Sequence, residues 1–359
     1  MHVSRRDVLA GGSFAGLLAH PVMALAGDQP LRDIAKAHGV LYGAAYATVA
    51  FQDKAATALQ AQQTGILVPD FELKWGAVRP SPDVYNLGPA DRLLAFAKRH
   101  GMAFRGHNLA WEESNPAWLA KEITASNAEK LLRDHIETVV GHFAGQVHSW
   151  DVVNEPIWPQ HNKPNGMRDG VWLRTLGESY IDIAFQTARA ADPAALLVLN
   201  EAGTEPSSPG GHQRRTLFLN LIDRLKGRGV PLDAVGLECH FGTASQFDPD
   251  DFGHYLEQLA GRGLRVIISE LDVSDLAMIS APVAQRDAAV AAMYHAVATA
   301  AMRNRSTIAL LTWELTDKFS WLRTSPHPQG VLPRPLPYDA DLQPKPARTA
   351  LAAALMSRA

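Results

Sequence analysis

Short apolar runs alternate with longer amphipathic segments along most of the chain. Eight runs have the length and the β-branched content of buried strands, and they span residues 40–47, 66–70, 103–109, 149–155, 196–202, 234–241, 265–273 and 308–316. The segments between them repeat apolar residues with helical spacing, as in 89–101, 127–143, 213–229 and 285–304. Eight strands alternating with eight helices, with no linker between them, predict a single-domain α/β fold, the (β/α)8 TIM barrel.

Polar residues gather at the predicted ends of these strands. They are His107, Asn108, Asn154, Glu155, Asn200, Glu201, His240, Glu270 and Asp272. In this barrel the active site is built from residues at the carboxyl ends of the strands, so these side chains should meet at one rim. One carboxylate at a strand end is easily structural, but a whole set on one rim predicts a site.

Two glutamates stand out within this set. Glu155 closes the run HSWDVVNEPIW at 148–158, and Glu270 lies near the end of the seventh strand. Side-chain alternation puts Asp272 on the face of Glu270, and Glu238 on the face of His240. Two carboxylates facing one opening suggest the acid and the nucleophile of glycosidic bond cleavage, because mutual repulsion separates their pKa values.

Tryptophans supply flat apolar faces near the same rim. Trp75, Trp111, Trp313 and Trp321 lie at or just beyond predicted strand ends, where they could stack on sugar rings. For any one tryptophan, core packing is the more frequent role, and the sequence favours it for Trp75 and Trp111. For Trp313 and Trp321, which flank a polar segment, the sequence favours a sugar-facing role.

Composition excludes several other kinds of protein. The 359 residues carry a net charge of −3 and 20% charged residues, which gives no reason to expect a nucleic-acid partner. No HExxH, paired-cysteine or GxSxG motif is present, so we expect no metal, no cofactor and no serine nucleophile. The single cysteine, Cys239, excludes an internal disulfide and is predicted to be a buried, inert thiol.

The first 26 residues have the pattern of a targeting segment. Arg5 and Arg6 precede a mildly apolar run that ends near Ala24 and Ala26. This pattern predicts a twin-arginine export signal, leaving 27–359 as a periplasmic or secreted catalytic barrel. A short membrane anchor is the alternative, but the run is short and weakly apolar, so no stable membrane insertion is expected.

Taken in order, the motifs resemble those of glycoside hydrolase family 10, the endo-β-1,4-xylanases. They are LKW at 73–75, ADRLLAFAKRHGMAFRGHNLAW at 90–111, WDVVNEP at 150–156, GLECH at 236–240, ISELDV at 268–273, TDKFSW at 316–321 and PKPA at 344–347. The resemblance implies that Glu155 is the general acid/base and Glu270 the nucleophile. Asn154 would bind the sugar 2-hydroxyl, and His240, oriented by Asp272, would hydrogen-bond the nucleophile. The other residues implied to bind substrate are Lys74, His107, Trp111, Glu238, Trp313 and Trp321.

Departures from the family pattern cluster in the same region. Phe71 replaces a sugar-binding asparagine, Glu112 a histidine, Glu238 a glutamine and Glu314 a glycine. We therefore expect a monomeric, retaining endo-1,4-β-xylanase acting on xylan or xylo-oligosaccharides. The alternatives are a related barrel hydrolase acting on another β-glycan or an aryl glycoside, and a glycan-binding barrel without catalysis.

Overall fold

The computed structural model describes residues 29–324 and 330–358, and over these residues the chain forms a closed parallel barrel. Its strands are β1 Leu41–Tyr46, β2 Ile66–Pro69, β3 Ala103–Ala110, β4 Ser149–Asn154, β5 Leu196–Glu201, β6 Ala234–Leu237, β7 His240–Gly242, β8 Arg265–Ser274 and β9 Thr307–Thr312. Strands β1 to β6 pair in sequence order, β1 pairs with β9, and β6 with β8 closes the ring. The predicted (β/α)8 barrel is confirmed.

Helices surround this barrel. They are α1 Leu31–Ala37, α2 Lys54–Gln63, α3 Trp75–Val78, α4 Gly88–Arg99, α5 Leu119–Glu122, α6 Ala128–His142, α7 Val171–Leu176, α8 Ser179–Ala191, α9 Pro209–Gly227, α10 Pro249–Gly261, α11 Val283–Arg303 and α12 Pro346–Met356. Short 3₁₀ segments lie at Thr48–Gln52, Glu112–Ser114, Pro159–His161, Pro164–Gly166, Leu276–Met278 and Trp321–Arg323. The helices are amphipathic: in α4, Leu93, Leu94 and Ala97 are buried, whereas Lys98 and Arg99 are exposed.

Two apolar layers follow from the alternation of side chains along the strands. The inner layer fills the barrel with mostly small or β-branched side chains and ends at Trp313 near the rim. The larger outer layer packs the strands against the helices and includes the buried Cys239. Both layers hold the strand ends rigidly, which fixes the backbone from which the rim side chains project.

The sixth predicted strand differs from expectation because it is broken. It ends at Leu237 and resumes at His240, where β7 pairs with the end of β8. The break lies at Cys239, whose φ of 60° is left-handed and cannot continue a strand. The eighth strand was likewise predicted to reach 316 but ends at Thr312, and Glu314 has a φ of 75°. A left-handed backbone explains why the family usually has glycine at this position.

In the part of the chain that the structure describes, no helix is both long and apolar enough to cross a membrane. The predicted export signal at 1–26 lies outside the described residues.

Candidate active site

A cleft of about 330 Å³ opens at the carboxyl ends of the strands. It is lined by Asp70, Lys74, His107, Trp111, Glu113, Asn154, Glu155, Glu238, His240, Glu270, Trp313 and Trp321. Every residue that the sequence placed in contact with substrate is therefore brought to one cavity, and Asp272 lies directly behind His240. The strands converge on this rim, so residues more than 100 positions apart become neighbours.

Glu270 occupies the centre of this cleft and is surrounded by donors. Its Oε2 lies 3.3 Å from His240 Nε2, and its Oε1 lies 3.9 Å from His107 Nδ1 and accepts a hydrogen bond of 2.9 Å from Asn200 Nδ2. Burial alone would raise the pKa of Glu270, but His107, His240 and Lys74 outweigh burial and lower it to about 2. Glu270 is therefore ionised at any ordinary pH.

His240 is held from the other side by a carboxylate. Its Nδ1 lies 3.0 Å from Asp272 Oδ1, and Asp272 Oδ2 accepts a hydrogen bond of 2.7 Å from Trp321 Nε1. Burial would lower the pKa of His240, but Asp272 and Glu270 raise it well above its usual value. The chain of contacts from Trp321 to Glu270 fixes the orientation of the imidazole.

Glu238 is a further buried carboxyl next to Glu270. Its Oε1 accepts a hydrogen bond of 3.0 Å from Asn200 Nδ2, and its Oε2 lies 3.7 Å from His240 Nε2. Burial, and next the charges of Glu270 and Glu155, raise its pKa well above the usual value. Asn200 itself fits only because residue 236 is glycine, since a Cβ there would lie 1.8 Å from Asn200 Oδ1.

Glu155 follows the last residue of β4 with a φ of 48°, and its amide donates 2.9 Å to Asn200 O. Arg168 contacts it twice: Nε donates 2.7 Å to Glu155 O, and Nη2 donates to Glu155 Oε2. Arg168 Nη1 also donates 2.6 Å to Glu113 Oε1. Burial raises the pKa of Glu155, Arg168 opposes this rise, and Glu113 and Glu270 add to it, so that the net direction is upward.

Lys74 lies between two tryptophans on another side of the cleft. Its Nζ is 5.4 Å from the ring centre of Trp111 and 5.5 Å from that of Trp313, and it lies 3.9 Å from Asp70 Oδ1. Next to Asp70, Phe71 is 59% exposed. This side therefore combines a cation, a carboxylate and aromatic faces.

Trp75 does not belong to the cleft. It is fully buried and stacks on His135 at 3.6 Å and on Trp172 at 5.0 Å between ring centres. Core packing, the role that the sequence favoured for Trp75, is what the structure shows, because α3 begins at this residue and its side chain lies in the layer between strands and helices.

Glu112, which replaces a histidine of the family pattern, has a structural role. Its carboxylate accepts hydrogen bonds from the amides of Val171 at 3.0 Å and Trp172 at 3.2 Å, at the start of α7. A Cβ on Gly170 would lie 1.7 Å from Glu112 Cδ. The side chain thus ties the segment after β3 to the segment after β4.

Sequence reasoning missed Arg168 and Glu113, and it noted Asn200 without giving it a role. Arg168 lies in the segment between β4 and α7, where no periodic pattern predicts which side chain turns inward. It also missed that Glu238, His240 and Glu270 offer one ligand atom each within 4.8 Å of one another. The signal for Asn200 was its position at the end of β5, the same signal that identified Asn154.

The chemistry of the cleft follows from its two opposed carboxyl groups. The pKa of Glu155 is raised and that of Glu270 is lowered, so Glu155 keeps its proton to higher pH than Glu270 does. A proton donor and an anion in one cleft with aromatic walls suit acid-assisted displacement at an acetal carbon.

Comparison with known proteins agrees with this chemistry. The sequence model of glycosyl hydrolase family 10 matches residues 30–354. Endo-1,4-beta-xylanase C of Phanerodontia chrysosporium is 36% identical over 328 residues, which cover 90% of this chain and 78% of that protein. The crystal structure of xylanase 10B from Thermotoga maritima has a TM-score of 0.83 at 30% identity, and the match covers 91% of this chain and 98% of that one.

Xylanase 10B from Thermotoga petrophila, solved in complex with xylobiose, has a TM-score of 0.84 at 30% identity and covers 91% of this chain and 97% of its own. The family match, the shared barrel and the two strand-end glutamates agree, and the chain belongs to glycosyl hydrolase family 10.

Proposed function

We propose that this protein is a retaining endo-1,4-β-xylanase that hydrolyses internal bonds of xylan and xylo-oligosaccharides by double displacement. The observation that carries the proposal is that Glu155 and Glu270, from the ends of two strands, line one cleft of a family 10 barrel. The raised pKa of Glu155 and the lowered pKa of Glu270 fit the acid and the nucleophile. The relatives named above support the substrate, because they are xylanases by name and one of them was solved with xylobiose.

In the first step Glu270 attacks the anomeric carbon while Glu155 gives its proton to the glycosidic oxygen. The bond between that carbon and oxygen breaks, and an ester joins the sugar to Glu270. In the second step Glu155, now a carboxylate, removes a proton from water as the water attacks the same carbon and releases Glu270. Arg168 stabilises the carboxylate that Glu155 becomes between the two steps, since its guanidinium contacts Oε2.

The remaining residues have supporting roles in this proposal. Asn154 binds the 2-hydroxyl beside the reacting carbon, and Asp272 orients His240 toward Glu270. Sugars bound on the side opposite the leaving group contact residues with aromatic or polar side chains. They are Lys74, His107, Trp111, Glu238, Trp313 and Trp321.

The test is an assay of reducing ends released by the purified protein from xylan, mixed-linkage β-glucan and mannan. We expect release from xylan with oligosaccharides as early products, and proton NMR of the first product should show the β-anomer. Release from glucan or mannan alone would refute the substrate, and an α-anomer would refute Glu270 as nucleophile.

A second candidate, a related hydrolase for another β-glycan or an aryl glycoside, is favoured by one observation. Phe71, exposed beside Asp70, stands where the family pattern has a sugar-binding asparagine. The same assay separates the two candidates. A glycan-binding barrel without catalysis would release no reducing ends from any of the three polymers.

We also propose that the chain is exported by the twin-arginine route to the periplasm or the medium and acts as a monomer. Replacing Arg5 and Arg6 together by lysine should leave active enzyme inside the cell, because the export receptor reads that pair. Unchanged secretion would show another route. Light scattering coupled to gel filtration tests the monomer.

A further inference from the structure

Three possible metal-ligand atoms converge at the centre of the cleft. His240 Nε2 lies 3.3 Å from Glu270 Oε2 and 3.7 Å from Glu238 Oε2, and one ligand atom from each residue lies within 4.8 Å of the other two. Ligands about 2.0 to 2.1 Å from a tetrahedral Zn²⁺ are about 3.3 Å apart. We propose that Glu238, His240 and Glu270 form a binding site for a divalent transition-metal ion such as Zn²⁺, and that the bound ion inhibits the enzyme.

The side chains around the three ligands already hold them in the required orientation. His240 Nδ1 faces Asp272 Oδ1 at 3.0 Å, the carboxylate–histidine contact that commonly supports a metal-binding imidazole nitrogen. Asn200 Nδ2 contacts Oε1 of Glu238 at 3.0 Å and Oε1 of Glu270 at 2.9 Å. The amide nitrogen thus lies beside Oε1 of each carboxylate, while both Oε2 atoms lie near His240 Nε2.

Glu238 provides an independent reason to expect a cation. The residue is only 3% exposed, yet its Oε2 accepts no hydrogen bond from the described chain, and the nearest cationic group, His240 Nε2, is 3.7 Å away. Burying a carboxylate with no closer cation carries a desolvation cost, which a metal ion would offset. Glu238 also lines the cleft, which is open to solvent.

The ligand types favour a transition metal over Mg²⁺ or Ca²⁺. One imidazole and two carboxylates form a mixed nitrogen and oxygen set like that of zinc sites, whereas Mg²⁺ and Ca²⁺ prefer six or more oxygen ligands. Three protein ligands leave a fourth position for water. The glutamine that the family pattern has at position 238 would offer only a neutral amide, so the site depends on this departure.

Binding is independent of the proposed function, but inhibition rests on it. An ion held by Glu270 occupies the electron pair that would attack the anomeric carbon, and it lies where the sugar must bind. Inhibition should therefore be competitive with xylo-oligosaccharide. Chelation should reverse it, because no covalent bond forms.

The first experiment is calorimetric titration of chelator-treated protein with Zn²⁺ at about pH 7.5, where metal-binding groups lose their protons to the ion. Glu238→Gln keeps the shape of the side chain but removes one ligand, and it should weaken this binding event by at least about 100-fold. Glu314→Gln is the matched control, because it neutralises another buried carboxyl at the rim and should leave Zn²⁺ binding unchanged.

Exposed His–Asp pairs such as His142 with Asp91 can also bind Zn²⁺, so the site is identified by the difference between wild type and Glu238→Gln. Equal binding by the two proteins, with both folded by circular dichroism, would overturn the proposal. His240→Ala is a second variant, which should lose the same binding event and which serves if Glu238→Gln does not fold.

The second experiment measures Zn²⁺ inhibition of xylo-oligosaccharide hydrolysis. We expect the inhibition constant of Glu238→Gln to rise by the same factor as its calorimetric dissociation constant. An active enzyme that binds no Zn²⁺ would refute this inference and leave the proposed function intact. Zn²⁺ binding by a protein that hydrolyses none of the tested glycans would refute the proposed function but not the proposed metal site.

Discussion

Glu155 and Glu270 are both buried, at 9% and 5% exposure, yet their surroundings push their pKa values in opposite directions. Glu270 extends from β8 among His107, His240 and Lys74. Glu155 sits on the turn after β4, where its one salt bridge among the described residues is to Arg168, which it shares with Glu113. Burial raises the pKa of either carboxyl, and the cations around Glu270 outweigh burial whereas those around Glu155 do not.

Glu270→Ala should abolish hydrolysis of every substrate, including activated aryl xylosides. Glu270 is the proposed nucleophile, and alanine cannot form the ester to the sugar, so we expect a loss of roughly 10⁴-fold or more in kcat/KM. Azide is the control, since a small anion in the vacated space should restore some activity and give a product of inverted configuration. Substantial activity without azide would contradict the assignment.

Glu155→Ala should separate substrates by their leaving groups. Xylan should lose about 10²- to 10⁴-fold in kcat, because its leaving oxygen needs a proton, whereas an aryl xyloside with an acidic phenol should be partly spared in its first step. Steady-state kinetics on both substrates measure the difference. Equal losses would remove Glu155 from the acid role.

Arg168→Met and Glu113→Gln should shift the alkaline limb of the kcat/KM profile in opposite directions. The acid must be protonated for the first step, so this limb follows the pKa of Glu155. Removing the arginine cation raises that pKa and should move the limb to higher pH by about one unit, while removing the Glu113 charge lowers it. Arg168→Lys is the control that keeps the charge. Shifts in the same direction would show that Arg168 affects the pKa of Glu155 by positioning the segment between β4 and α7, and not through its charge.

Glu314 extends the comparison to a third buried carboxyl. Burial and the charges of Asp70 and Glu72 raise its pKa well above 4.5, with only Lys74 opposing. When the pKa of a carboxyl is higher in the folded protein than in the unfolded chain, its contribution to the free energy of unfolding is fully present below the unfolded-state pKa. That contribution is lost as the pH rises toward and through the folded-state pKa. The melting temperature of Glu314→Gln relative to wild type should therefore increase from about pH 4.5 upward. A difference that does not depend on pH would show that Glu314 ionises in the folded protein at the same pH as in the unfolded chain.

The sequence predicted the rim because strand ends and polar residues coincide in a TIM barrel. Glu155, Glu270, Asn154 and His240 could be assigned to it from position alone. The left-handed Cys239 could not be predicted, because an apolar run such as AVGLECHF carries no signal for a break.

Residues outside the strands were the least predictable. Arg168 lies 13 positions after the carboxylate that it contacts, in a segment whose path depends on tertiary contacts such as the tie between Glu112 and α7. For Trp75 the sequence favoured core packing but left a sugar-facing role open. Its position just past a strand end fits a sugar platform as well as a core residue, and only the direction of α3 decides between them.

The side-chain amide of Asn200 has fewer hydrogens than neighbouring acceptors. Its amide nitrogen carries two hydrogens but lies within hydrogen-bond distance of three oxygens, Asn154 Oδ1 at 2.7 Å, Glu270 Oε1 at 2.9 Å and Glu238 Oε1 at 3.0 Å. The amide can therefore donate to only two of these three oxygens at once. A sugar hydroxyl that binds beside them can donate to the third, so a substrate without that hydroxyl should bind more weakly.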